Sequence, residues 1–536
     1  MKKIWIWTAA ILLVLCIIGA VFFFEEVDNI ELKHTLNNNQ NLEITADDGI
    51  QLAETYEQKY SFQVYDKVSK YKIGKKSNLT VTERVFPNAD SFIFVELKNG
   101  SSEKEQVKLE LGYHYANRYE VEDFSAYKVD RPHDSTVGVD KTTYPYGLLR
   151  FFDFEKHDAD VMVGKNYISE MLEMDYDDGK HSYIRKLIRE KEQVEVQKTK
   201  DKLSISLVME ADEGQISDQW MMLSEKNLFE NEEELEQWIE LSNKQFKHVN
   251  NWYTDEGVYN KLPWSVEPFD EMGYGKNLMY FREDLASKRY RVSSEERYYS
   301  NLMLNALINL EKYPQNSEGL FETHYTSTWL KEDYGITAPY VDTRQNEMAA
   351  ITMNQLTDIL DLESTIDQEI VYADFLVGQY QAGNVLKMPG GQKGYLISDY
   401  YDRGDGYTQT HTSLNHVLGE MNVLLEVYLR TNEDKYLDVA WNIKQALKET
   451  EDEWIRDDSD LWYQVDIEFK YSGRDYPIVT LRDLLDAEKL WMEVNQDQEY
   501  TFKKLLDSKV EYLQNENIEI EEELQAKMEE IGYAPM

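Results

Sequence analysis

Four stretches of the chain combine tyrosines, carboxylates and arginines, and each runs directly into a long amphipathic segment. They are Glu295-Glu296-Arg297-Tyr298-Tyr299, Asp342-Thr343-Arg344-Gln345-Asn346-Glu347, Asp405-Gly406-Tyr407-Thr408-Gln409 and Arg474-Asp475-Tyr476-Pro477. Carboxylates and phenols accept or donate hydrogen bonds and protons, and a guanidinium forks onto anions. Aromatic rings among such groups suit a sugar polymer. The run Asp399–Tyr407 packs three aspartates and three tyrosines around Gly404 and Gly406. It is a poor calcium loop, because no glutamate follows at the required position. Glycine there permits close approach of backbone to a ligand. His411 and His416 flank the start of the next helix, but a spacing of five does not put both on one helical face. No zinc-protease motif, phosphate-binding glycine loop, nucleophile elbow or dinucleotide fingerprint occurs. Neither a cofactor nor a metal is expected.

The elements that must position these loops follow from hydrophobic period. After Asp342–Glu347 come Met348, Ile351, Leu356, Ile359 and Leu360; after the Tyr407 loop come Leu414, Val417, Leu418, Met421, Leu424, Leu425 and Tyr428. Leu481, Leu484, Leu485 and Trp491 follow Pro477, and Leu302, Ala306, Leu307 and Leu310 follow Tyr299. Three- and four-residue steps give each helix one buried face. Side-by-side stacking would bring the four entry loops to one end. Helices starting near 293, 345, 366, 411, 433, 480 and 499 point to paired helices closing into an α/α toroid over 280–536. Between 46 and 228 the period is instead two: Val107, Leu109 and Leu111 alternate with polar residues, as do Leu203, Ile205 and Leu207. That pattern, with Asp-Gly turns at 48–49 and 178–179, predicts an antiparallel β-sandwich. A charged helix and a loop over 229–279 join the two parts.

Lys2 and Lys3 precede an apolar run from Ile4 to Phe24. About 20 such residues span a hydrocarbon core, and the positive flank stays cytoplasmic. Residues 1–24 are therefore expected to be a single-pass anchor, with a polar, Asn-rich stalk over 25–45 and the folded parts outside the cell membrane. A cleaved signal peptide is the competing reading, with a weak small-residue site at Ile18-Gly19-Ala20. The expected architecture is thus α+β and multidomain: a transmembrane helix, an antiparallel β-sandwich and a C-terminal toroid.

Net charge is −44, which argues against a nucleic-acid partner and weighs against an acidic polymer in the absence of a local basic patch. A lone cysteine, Cys16, excludes a disulfide framework. The 38 tyrosines and 11 tryptophans suit either sugar stacking or core building, so composition alone does not choose.

The segment Leu461-Trp462-Tyr463-Gln464-Val465-Asp466, followed by Arg474-Asp475-Tyr476-Pro477, resembles the C-terminal domain of the glucuronyl C5-epimerases. In that family a Tyr-Pro loop precedes a long apolar helix; a Tyr-Asp-Leu-Arg stretch follows, and Asp-Tyr-His opens the last inner helix. Here Tyr407, Tyr463 and Tyr476 fall at comparable places. Ala338-Pro339-Tyr340 and Met348-Ala349-Ala350 resemble the family's earlier loop and helix start. The likeness covers about residues 280–495. Asp466 stands where the family has arginine, and Pro477 where it has histidine. The resemblance implies an isomerase that inverts C5 of a uronic acid within a polysaccharide. Tyr407, Tyr463 and Tyr476 would supply acid and base. Arg344, Arg403 or Arg474 would hold the carboxylate, and Asp342, Asn346 and Tyr340 would line the substrate. A phenolic base needs a nearby cation to bring its pKa down from about 10. A homodimer is compatible with this layout. Three alternatives stay open: a lyase, a glycoside hydrolase using two of Asp342, Glu347, Asp405 and Asp475, and a non-catalytic glycan-binding envelope protein.

Overall fold

The computed structural model describes residues 29–114, 116–124, 147–192, 194–199, 202–245, 249–293, 296–364, 367–391, 393–402 and 407–534. Seventeen strands between Asn29 and Gly275 hydrogen-bond into one antiparallel sheet. The 19-residue strand Asn41–Lys59 turns it into two layers. Leu42 to Ala46 pair with Leu111 to Val107, whereas Ile50 to Lys59 pair with Ile73 to Tyr65. The change of partner falls at Asp47-Asp48-Gly49, and Gly49 takes a φ of 83°, which glycine adopts without a Cβ penalty. Leu79, Val81, Val107, Leu109, Ile205 and Leu207 meet between the layers. The expected sandwich is therefore corrected to a single bent sheet.

Eleven helices lie among the described residues: α1 (Glu232–Lys244), α2 (Asp284–Ser293), α3 (Arg297–Lys312), α4 (Thr328–Tyr334), α5 (Thr343–Ile359), α6 (Gln368–Ala382), α7 (Leu414–Thr431), α8 (Asp434–Glu449), α9 (Pro477–Asn495), α10 (Lys503–Asn515) and α11 (Glu522–Glu530). Their ends carry clear signals. Asp342 caps α5 by accepting the Gln345 N–H, Asp367 caps α6, Pro477 opens α9, and Gly383 closes α6 in the left-handed region. Helices α3, α5, α7 and α9 pack in sequence as an inner row. Helices α2, α6 and α8 back that row, and α10 and α11 close its far side against α9. The helix pairs that pack broadly thus make an arc rather than the closed toroid expected. The middle of the arc is α7, enclosed on nearly every side: Leu414, Val417, Leu418, Met421, Leu424 and Leu425 are fully buried, and so is the carboxyl-bearing Glu420. A helix of that kind belongs inside a core.

The sheet covers the other end of the arc. Phe92, Phe94 and Trp220 from the strands share a core with Trp238 of α1 and Leu302 and Leu307 of α3. Within this junction Arg84 is fully buried; it meets Asp66 at 2.9 Å and donates to Asn305 and Asn309 of α3.

The expected anchor over 1–24 lies outside the described residues. Among those described, no helix is long and apolar enough to cross a membrane. The single-pass architecture and membrane location expected from the apolar run are not supported by any described helix.

Candidate active site

The entry loops of α5, α7 and α9 do meet. Asp342, the α5 cap, ends the short strand Tyr340–Asp342, which pairs with Tyr400–Asp402. Asp399 immediately precedes that second strand and is fully buried. Its backbone carbonyl accepts the Thr343 N–H at 2.9 Å, fastening the start of α5 to the start of α7. Its carboxylate accepts the Ser413 backbone N–H at 2.9 Å and the Ser413 hydroxyl at 2.5 Å. His411 Nε2 sits 3.3 Å from Oδ2, and His416 Nδ1 lies 3.7 Å from Oδ1 while meeting the Thr343 hydroxyl at 2.8 Å.

Ser413 is also the link to the third loop. Thr412-Ser413 pairs with Gln464-Val465, so Tyr463 stands next to Ser413's strand partner. The ring of Tyr463 meets that of Tyr476, at the α9 cap, edge-to-face at 5.6 Å. Tyr463 is half-buried, while Tyr476 is 52% exposed. Trp329, Tyr334, Tyr340 and Tyr400 make an aromatic wall around His411: Trp329 and Tyr400 rings are 5.3 Å apart, and the Tyr334 hydroxyl meets His411 Nδ1 at 3.1 Å.

Electrostatics separate these groups. Burial raises the Asp342 carboxyl above its ordinary range, against the opposing pull of His416 and the Gln345 N–H. Burial also acts to raise Asp399, but His416, His411 and Ser413 together bring it below the ordinary range. His416 itself is pushed down, by burial first, despite Asp399 beside it. Asp399 is thus held down by His416 and His411 first, with the Ser413 hydroxyl adding to them. The Tyr463 phenol is driven well up, by burial and then by the charge of Asp399, with Ser413 opposing. Tyr476 is raised by partial burial and then by Asp475 and Asp342.

The residues singled out from sequence sort into two groups. Asp342, Tyr463 and Tyr476 come together. Tyr407 sits farther back, its hydroxyl hydrogen-bonded to Ser398 and its ring stacked on Tyr401 at 5.7 Å. Arg344 points into the arc, donating to Glu347 at 2.8 Å, Asp483 at 3.0 Å and the Asn415 carbonyl. Asn346 holds both polar backbone atoms of Phe321, and Tyr340 is buried in the aromatic wall. Arg474 is exposed and donates to the Tyr512 hydroxyl at 3.3 Å. Asp475 is buried against Lys509 at 2.6 Å. Arg403 and Asp405 lie outside the described residues. Asp399 and Ser413 were missed as functional candidates. The two histidines bracketing position 413 were the signal that pointed to them.

No family profile matches the sequence, including one for the C5-epimerases it resembles, and no curated protein matches it. Solved structures give remote likenesses. A cellobiose 2-epimerase from Bacillus thermoamylovorans is 11% identical, with 52% of this chain and 68% of that one covered at a TM-score of 0.37. A D-mannose isomerase is 14% identical, covering 53% and 70% at 0.34. An unsaturated glucuronyl hydrolase from Streptococcus agalactiae is 13% identical, covering 54% and 65% at 0.29. These neighbours are carbohydrate-active enzymes; at such scores the likeness carries no argument about the chemistry of this chain.

Proposed function

We propose that the protein is a carbohydrate-active enzyme working by proton transfer at Tyr463, Tyr476 and Asp342, and that epimerisation at C5 of a uronic acid in a polysaccharide is the reaction to test first. One observation carries this reading: two phenols in edge-to-face contact stand beside a buried carboxyl group, at the meeting point of three helix entries and next to an aromatic wall. Inversion needs one group to take a proton from one face of the ring and another to return it from the opposite face. Tyr476, neutral and exposed, serves as donor without adjustment. Among the described candidates, Arg474 is the arginine available to hold the substrate carboxylate while charge spreads onto it; Arg344 would first have to leave Glu347 and Asp483.

Incubation with a uronic-acid polymer in heavy water tests this. Deuterium should enter at C5, and Tyr476→Phe should slow its entry about 100-fold. Undiminished exchange in that variant sinks the site assignment. Because the chain carries −44 charges, exchange on a polyanion should rise with added salt as repulsion is screened.

A second reading has its own support. Asp342 is raised and Asp399 lowered, and carboxyl groups pushed apart in this way commonly divide acid and base duties. A glycoside hydrolase would release new reducing ends and leave C5 unlabelled.

A further inference from the structure

The two phenols of the site belong to one hairpin and its exit. Tyr463 lies in the first strand, Trp462–Val465; the second, Tyr471–Arg474, leads through Asp475 to Tyr476 at the cap of α9. The turn between the strands is open to solvent, with Ile467 exposed, whereas the two roots, Asp460 and Asp475, are buried. A single ammonium joins those roots. Lys509 of α10, itself fully buried, donates to the Asp460 carboxylate at 2.7 Å and to the Asp475 carboxylate at 2.6 Å. Its neighbours on α10 grip the same places. The Ser508 hydroxyl donates to the Ser459 carbonyl at 2.7 Å, and the Tyr512 hydroxyl accepts from Arg474 at 3.3 Å. The other Asp475 oxygen accepts the Thr480 hydroxyl at 2.8 Å, so the carboxylate just before Tyr476 is held on both oxygens. Burial lifts Asp475 to about 6, with Lys509 and then Thr480 acting against it. A buried cluster of this kind is a poor source of stability, since apolar side chains of similar size often serve a core as well. What an apolar side chain does not do is tie two chain segments to one point.

We propose that Lys509 is the clasp of the site: by holding Asp460 and Asp475 together it fixes both roots of the hairpin, and so sets the edge-to-face approach of Tyr463 and Tyr476. The clasp rests on the proton-transfer reading of this site, because there the separation of the two phenols bears on the rate. A displacement of about 1 Å between reacting groups can cost about 100-fold in rate. The α9 root matters most, since Tyr476 is the residue next to Asp475 and its ring is 52% exposed, with the Tyr463 ring as its neighbour. Lys509, Asp460 and Asp475 act through the phenols and are positioning residues.

Two variants test the clasp without leaving a bare charge in the core. Lys509→Met combined with Asp460→Asn and Asp475→Asn removes it entirely. Asp475→Asn alone keeps the Lys509–Asp460 pair, one charge against one, and frees the α9 root. With 3-fluorotyrosine placed at position 476, fluorine NMR reads the neighbouring ring directly, and Tyr463→Leu marks the part of the chemical shift that this ring supplies. The triple variant should lose most of that part, and Asp475→Asn a smaller share. A gain in stability alone, with no effect on the rings, would leave the signal in place. In heavy water with a uronic-acid polymer, the triple variant should cut kcat about 100-fold and Asp475→Asn about 10-fold, each with KM nearly constant. A fluorine signal unmoved in Asp475→Asn, or in the folded triple variant, overturns the clasp. So does a kcat within about threefold of the unaltered protein in Asp475→Asn. Absence of exchange in the unaltered protein refutes the proton-transfer reading instead, and the clasp is then judged on the fluorine signal alone.

Discussion

Two arginines held in ion pairs do opposite work. Arg84, at the junction of sheet and α3, has the Asp66 carboxylate at 2.9 and 3.0 Å, two asparagine side chains and the Asp255 carbonyl. Asp66 responds as a settled partner should: burial acts to raise it, but Arg84 and Lys312 hold it below its ordinary range. Arg344, inside the arc, shares Glu347 and Asp483, yet both carboxyl groups are raised, by burial first, and the arginine only partly offsets it. Among the described residues the Arg344 Nε and one Asp483 oxygen find no hydrogen-bond partner, and neither do the carboxyl oxygens of nearby Glu420. The first cluster is a completed joint. The second holds excess negative charge directly behind the entry loops, and it tolerates protonation.

Removing each arginine should expose that difference. Arg84→Met leaves Asp66 ionised in a dry interface with Lys312 at 3.3 Å as its remaining cation. It should cost about 3–5 kcal/mol in thermal or denaturant unfolding, and adding Asp66→Leu should recover much of it. Arg344→Met should cost less, about 2–3 kcal/mol at neutral pH, because Glu347 and Asp483 can take up protons. Lowering the pH towards 5 should shrink that cost and leave the Arg84→Met cost largely unchanged. Equal losses at both pH values would erase the distinction between the clusters.

The same imbalance sets the pH dependence of the unaltered fold. Glu347 is raised to about 8, and Glu283, Glu296 and Glu488 to about 7, each mainly by burial, from an ordinary value of 4.5. Between about pH 4.5 and 8 the folded state therefore binds more protons than the unfolded one, so stability falls as pH rises. Melting temperature should increase from pH 8 to about pH 5. Below about pH 4 the depressed Asp66 and Asp399 become protonated and the gain reverses. A melting temperature that climbs steadily from pH 5 to 8 would contradict the burial pattern.

Much of the helical half was legible because its signals are local. Period, caps and the Tyr-Asp-Arg entries marked α3, α5, α7 and α9, and with them Asp342 and Tyr476. Tyr463 was harder to place: a hairpin carries it to the site, and its partner strand lies some fifty residues earlier at Thr412-Ser413. The histidines misled for a geometric reason. Spacing on a helix was the wrong ruler for His411, since α7 starts only at Leu414; extended backbone brings it to the same aspartate that His416 reaches from the first turn. The Asn-rich run around 37–41 reads as a stalk, yet it forms the turn between strands Asn29–Thr35 and Asn41–Lys59, with Asn39 at a φ of 64°. Arg344 reads as a substrate clamp through the resemblance to the C5-epimerases, and only the three-dimensional packing shows Glu347 and Asp483 closing around it.

The smallest change should come at Gly419, where the two arginines again differ. A Cβ there would land on the Glu347 carboxylate and the Arg344 guanidinium, on the face of α7 that α5 packs against. These are side-chain ends, which ordinarily swing aside cheaply, but both are pinned: Arg344 also donates to the Asn415 carbonyl and to Asp483. Gly419→Ala gains about 1 kcal/mol of helix propensity and pays for overpacking of about 1–3 kcal/mol, for a net loss of at most about 2 kcal/mol. In an Arg344→Met background one pinned end is gone, so the same substitution should become neutral or stabilising. Losses that simply add in the double variant would show that Gly419 is needed for the approach of the α5 backbone, not for the ion pair.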